Sequence, residues 1–174
     1  MKINWTKPNA SDLNAYQKGY IDLAPEGDLI VTLENNLKKI LQLIEPLSAE
    51  KLKYRYAEGK WSIPEMIVHM IDAERVFSYR MLCIARGDKT SFPGYEQDDY
   101  VAASGADERD FKEIVEEYIA VRKATITLLK SFTDKMFSET GTANNTKISV
   151  KAISYMLAGH EIHHINVMNE KYLN

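Results

Sequence analysis

Residues 60–88 read KWSIPEMIVHMIDAERVFSYRMLCIARGD, and the punctuation at both ends of this stretch decides the fold. Ser62 is followed three residues on by Glu65, with Pro64 in the first turn, which is the signature of a capped helix start; Gly87 supplies the stop. The pattern predicts a helix from about residue 63 to 86, with Met66, Met70, Ala73, Phe77, Met81 and Ile84 along one apolar stripe. Upstream, Leu29, Leu33, Leu37, Ile40, Leu41 and Ile44 repeat at the same spacing between the break APEGD (24–28) and Pro46. Downstream, Phe111, Ile114, Val115, Tyr118, Ile119, Ile126, Leu129 and Phe132 mark a third helix, and a fourth runs from Val150 to about Tyr172. No segment carries a convincing strand period, so residues 89–107 and 138–149 read as loops. Four amphipathic stripes bury one another most simply in an all-α four-helix bundle. We expect one domain over residues 1–174, with residues 1–25, including Trp5 and Tyr16, as an arm or short helix on the bundle.

At 174 residues the chain can bury a core without disulfides or a structural metal. Lys and Arg number 22 against 25 Asp and Glu, and no basic cluster stands out, so a nucleic-acid partner is not expected. No apolar run reaches the length of a membrane span, and the first residues lack a signal-peptide core. A cytoplasmic protein is the expectation. The single cysteine, Cys83, excludes an internal disulfide and reads as a small buried hydrophobe.

The fourth helix contains His160-Glu161-Ile162-His163-His164, which matches the zinc-protease pattern H-E-x-x-H. The metzincin extension fails, because Val167 and Glu170 stand where glycine and histidine belong. Helical geometry gives a different reading. With Leu157 as origin, Val150, Ile153, His164 and Met168 fall within about 40°, His160 at about 60° and His163 at about 120°. His160 and His164 therefore share the inward face, where two imidazoles one turn apart can hold a metal. His69, the one remaining histidine, sits near the edge of the second helix's stripe and could supply a third ligand across the bundle. The alternative for each of the three is a satisfied core histidine.

Other candidates have two readings each. His163 is either solvated or at an interface, and Glu161 either orients an imidazole or pairs with a base on another helix. Arg80 and Arg122 interrupt apolar stripes; buried ion pairs with Glu74 or Glu117 are expected, with substrate anchoring as the alternative. The connection 89–106 is the natural cover for a substrate pocket, with Tyr95, Asp98, Asp99 and Tyr100 as polar contacts or as ordinary solvated loop residues.

The blocks GKWSIPEMIVHMIDAERVFSYRMLCIARGD, FPGYEQDDYV and AGHEIHHINVMNEKYL, in this order and spacing, resemble the DinB-like superfamily and its YfiT-type branch. The resemblance covers roughly residue 12 onward. It implies an up-down-down-up bundle, a homodimer, and one divalent metal per chain, nickel or zinc, with iron or manganese as further candidates. The metal would be held by His69, His160 and His164. It further implies chemistry on a small molecule: a thiol S-transferase using a low-molecular-weight thiol such as bacillithiol, or alternatively a metal-dependent hydrolase. A non-enzymatic, metal-stabilised helical dimer is the third possibility.

Overall fold

The computed structural model describes residues 3–173. In chain order the helices are α1 (Ala15–Ile21), α2 (Leu29–Ile44), α3 (Ala49–Lys53), α4 (Ile63–Ala85), α5 (Gln97–Ala103), α6 (Phe111–Lys130), α7 (Asp134–Ser138) and α8 (Val150–Val167). After α8 the backbone widens into a π-helical turn, Met168–Leu173. The long helices start where a side chain takes up the free amides: Asp28 accepts from the Ile30 N–H, Ser62 from Glu65, Asp110 from Lys112 and Ser149 from Ala152. At the other end of α4, Gly87 turns left-handed at φ +85°, which lets the N–H of Asp88 reach back to the Cys83 carbonyl. Cys83 itself is half-buried, packed against the core rather than enclosed by it.

The apolar interior falls into two clusters, and their membership gives the topology. One cluster takes the start of α2 (Leu29, Leu33), the end of α4 (Met81, Ile84), the end of α6 (Ile126, Leu129) and the start of α8 (Val150, Leu157). The other takes the opposite ends: Ile40 and Ile44, Ile63 and Ile67, Ile114 and Tyr118, and Ile165 and Met168. So α2 and α8 run one way while α4 and α6 run the other, an up-down-down-up bundle. Each of α4 and α2 lies against both α6 and α8. No helix among the described residues is long and apolar enough to cross a membrane.

Between the two clusters lies a buried polar waist. The guanidinium of Arg122, 1% exposed, uses all five of its N–H donors. Nε and Nη2 donate to Glu74 on α4 at 3.0 and 2.8 Å, Nη1 and Nη2 to Glu161 on α8 at 2.8 Å each, and Nη1 also to the Leu33 carbonyl on α2 at 3.0 Å. The Tyr118 hydroxyl donates to Glu161, and burial beside that carboxylate pushes its pKa well up, so it remains a donor. One side chain on α6 thus ties together all four long helices. The expected pairing with Glu74 is present, and Glu161 joins it; Glu117 instead pairs with Arg75 and Arg109 at the surface.

Two features depart from the sequence reading. The expected loop 138–149 contains strands β2 (Thr140–Ala143) and β3 (Thr146–Ser149), paired antiparallel, and β1 (Ser91–Phe92) pairs in parallel with β2. Asn144 and Asn145, both at positive φ (49° and 56°), close the hairpin with the two-residue turn that a twisted strand pair prefers. The strands are only a few residues long and rich in threonine, too short to show a period. The second departure is α5, a helix inside the long connection 89–106.

Helix α1 lies on α8 at Gly159, where an added Cβ would fall 1.8 Å from the Tyr20 carbonyl oxygen. Only glycine permits this approach, and it brings Tyr20 onto the residue next to Gly159, His160.

Replacing Arg122 with Met leaves two buried carboxylates without their cation, a loss of about 3–5 kcal/mol. At about 2–4 °C per kcal/mol for a protein of this size, the thermal midpoint of Arg122→Met should fall by roughly 6–20 °C. Circular-dichroism melts decide it; a fall under about 3 °C means the waist is not the clamp described.

Candidate metal site and its cavity

His69 on α4 and His160 and His164 on α8 come together at the waist. All three are buried, with 3%, 6% and 7% of their surface exposed. Their Nε2 atoms converge: His69 to His160 at 3.0 Å and His160 to His164 at 3.2 Å. Hydrogen bonding alone accounts poorly for this convergence. A neutral imidazole Nε2 either donates one proton or accepts with one lone pair, so His160 can satisfy one of these neighbours and not both. His164 adds an Nδ1 that is enclosed and has no partner among the described residues. Three ligand nitrogens about 2.0–2.1 Å from a shared ion in tetrahedral geometry would be spaced by roughly 3.3 Å, close to both observed separations.

The electrostatics favour neutral rings. Burial pushes the pKa of His69 down to about 4 and that of His160 down to about 3, with smaller contributions from neighbouring histidines. Burial also pushes His164 well below the ordinary value, and His160, His69 and His163 add to the effect. The site therefore presents three uncharged imidazoles at neutral pH, the protonation state that binds metal. His163, pointing off the face as the helical wheel expects, is exposed.

Aromatic rings hold the imidazoles in place. Trp61 packs on His69 with ring centroids 4.7 Å apart and reaches His164 at 6.5 Å. The Tyr172 hydroxyl, from the π-turn, donates to the Trp61 carbonyl at 2.6 Å and fixes that residue. Tyr20 meets His160 and His163 edge-on at 5.4 and 5.8 Å, and Phe77 meets His160 at 6.1 Å. Glu161, next in sequence to His160, contacts Arg122 and Tyr118 rather than an imidazole, so of its two readings the pairing with a base is the one observed.

Two cavities meet at His160. One of about 420 Å³ is walled by Phe77, Arg80, Tyr95, Asn144 and Met156; the other, of about 350 Å³, by Trp61, His69, His163 and His164. Tyr20, Gln97, Asp98 and His160 border both. Of the candidates in the 89–106 connection, Tyr95 and Asp98 do line this space, whereas Asp99 and Tyr100 face a separate surface hollow beside Asp72. Arg80 corrects an expectation: it makes no ion pair among the described residues, and its Nη2 donates to the Pro93 carbonyl at 2.5 Å. Burial pulls it inward, but no carboxylate stands within reach on α6 or α8. Sequence reasoning did not mark Trp61, Tyr20, Gln97 or Asn144. Trp61 directly precedes the Ser62 cap, a place where a helix often carries a packing residue; the other three give no signal in sequence.

Comparison with curated proteins finds no match. Among solved structures the chain is similar to YfiT from Bacillus subtilis, described as a probable metal-dependent hydrolase with an unusual four-helix bundle topology. The two share 18% identity at a TM-score of 0.72, over 97% of this chain and 92% of that one. The likeness therefore speaks for the fold. The family model described as the DinB superfamily matches residues 32–168, most of the bundle and all three converging histidines, and the chain belongs to that superfamily.

Proposed function

We propose that His69, His160 and His164 hold one divalent metal ion and that the protein is a metal-dependent enzyme acting on a small molecule, most simply a thiol S-transferase. The convergence of three buried, neutral Nε2 atoms carries the metal reading. Imidazole donors suit zinc, nickel, copper and iron alike. An ion held by these three histidines would supply Lewis acidity, lowering the pKa of a thiol or water toward neutrality.

The chain's own residues do the rest. Trp61 packs against His69 and Phe77 against His160, while Tyr20 and Gln97 border both cavities. Two cavities sharing one border favour a reaction that brings two organic reactants together, a thiol in one and an electrophile in the other. Hydrolysis needs only one organic substrate beside water. It is the second reading, favoured by the description of YfiT as a metal-dependent hydrolase.

Elemental mass spectrometry of the purified protein should find close to one metal per chain, reduced to trace in His69→Ala and His160→Ala. Loaded wild-type protein should then conjugate a low-molecular-weight thiol, bacillithiol or glutathione, to 1-chloro-2,4-dinitrobenzene, and a chelator should stop it. Cleavage of p-nitrophenyl esters without conjugation points to the hydrolase instead. Wild type that can be neither isolated with metal nor reconstituted ends both readings.

The buried histidines also set a pH dependence. Their folded pKa values lie below the unfolded value of about 6.5, so the unfolded chain binds more protons as the pH drops. Their stabilising contribution is complete above about pH 6.5 and is lost as the pH falls from there toward about 4. With three such groups the slope approaches about 4 kcal/mol per pH unit. Metal-free protein should accordingly lose thermal stability between pH 6.5 and 5, above the range where carboxylates titrate. A variant with all three histidines replaced by Gln should be flat across that window; equal slopes in the two proteins would show that the rings are not held neutral.

A further inference from the structure

Arg80 and Arg122 are both at least nine-tenths buried, at 9% and 1% exposure, yet their donors are used very differently. A guanidinium carries five N–H groups. Arg122 spends all of them inside the protein, while Arg80 spends one, on the Pro93 carbonyl, which leaves four. The enclosed side-chain atoms without partners among the described residues are Tyr155 Oη and His164 Nδ1, so Arg80 Nε and Nη1, which carry three of the four spare donors, open onto accessible space. Arg80 lines the larger of the two cavities, as does His160.

A buried cation without a counter-ion is costly, and the surroundings do little to relieve it. Burial pulls the Arg80 pKa down, and the only groups opposing that shift are the phenols of Tyr95 and Tyr16. The carboxylates of Glu96 and Asp98 also border the cavity, but both side chains are exposed at its rim and screened by water. Among the described residues no lysine lines it, and Arg80 is its one cation.

Its position relative to the histidines is set by helix geometry. Arg80 follows His69 by eleven residues, about three turns, so both project from nearly the same face of α4 with a rise of roughly 16 Å between them. Ala73 and Phe77 lie between the two on that face, opposite Ile153 and Met156 of α8. The cavity is therefore lined by one of the candidate metal ligands, His160, by apolar side chains and by one cation, Arg80.

We infer that Arg80 forms an oxyanion subsite, and that the substrate carries a carboxylate or phosphate at the end remote from the three histidines. This rests on the reading of the cavity as the substrate site. A planar guanidinium with spare donors matches either group in two-point fashion, and neutralising the buried charge supplies the binding energy.

Isothermal titration calorimetry on the full, metal-loaded chain tests it with three probes: 4-phenylbutyrate, its neutral amide and phenyl phosphate. Wild type should bind at least one anion about ten- to hundredfold more tightly than the amide, the range for hydrogen bonds to a charged group. Arg80→Gln should bring anion affinity down to the amide's level, Arg80→Lys should keep part of the preference, and the better anion names the group recognised. In His160→Ala the metal content should drop while the anion preference stays, which separates failure of the subsite from failure of the metal site. Equal affinity for anions and amide in wild type, no detectable anion binding, or a preference that survives Arg80→Gln overturns the inference. If the Arg80 variants do not fold, a wild-type crystal soaked in 4-phenylbutyrate decides: the carboxylate lies on the Arg80 guanidinium, or the subsite does not exist.

Discussion

The contacts of Arg122 govern the rest of this bundle. A guanidinium that is 1% exposed must have every donor satisfied, and here the partners come from α2, α4 and α8. Apolar stripes alone would let four helices slide or rotate against one another by a residue at modest cost, because hydrophobic burial is non-directional. The bidentate contacts to Glu74 and Glu161 do not tolerate such a slip, since a shift of one residue would strand two carboxylates in the core. The two apolar clusters supply the bulk of the burial, and the polar waist between them supplies the register.

That register is what assembles the site. Glu74 lies five residues after His69 on α4, and Glu161 is adjacent to His160 on α8, so fixing the two carboxylates on one arginine fixes the two helices that carry the histidines. Gly159 serves the same end from outside the waist by admitting the Tyr20 backbone, which places an aromatic edge on His160. Trp61, tethered through Tyr172, closes the other side over His69. The imidazoles are thus desolvated, neutral and held on both flanks, a pre-organised set of donors rather than three flexible side chains.

Much of this was legible in the sequence, and what was not has physical causes. The four long helices announce themselves through caps and a 3.6-residue period, and the inward turn of His160 and His164 follows from counting 100° per residue. The Arg122–Glu74 pair was legible as a base interrupting an apolar stripe with an acid available on another helix. The same reasoning failed for Arg80, because a stripe interruption says that a charge is buried and not whether a partner meets it. The hairpin was missed since four-residue strands have no period to detect; Asn144-Asn145 between threonine-rich segments was its only sign. Tyr20 and Gln97 reach the site through tertiary approach alone, which no local pattern records.

The central claim is that the waist holds three imidazole nitrogens where one ion can take all of them. X-ray absorption spectroscopy at the edge of the bound metal reads this directly. The expected spectrum shows three imidazole nitrogens at about 2.0–2.1 Å with the remaining coordination from light, non-imidazole donors. A shell with two or fewer imidazoles, or one dominated by carboxylate oxygen, would contradict it.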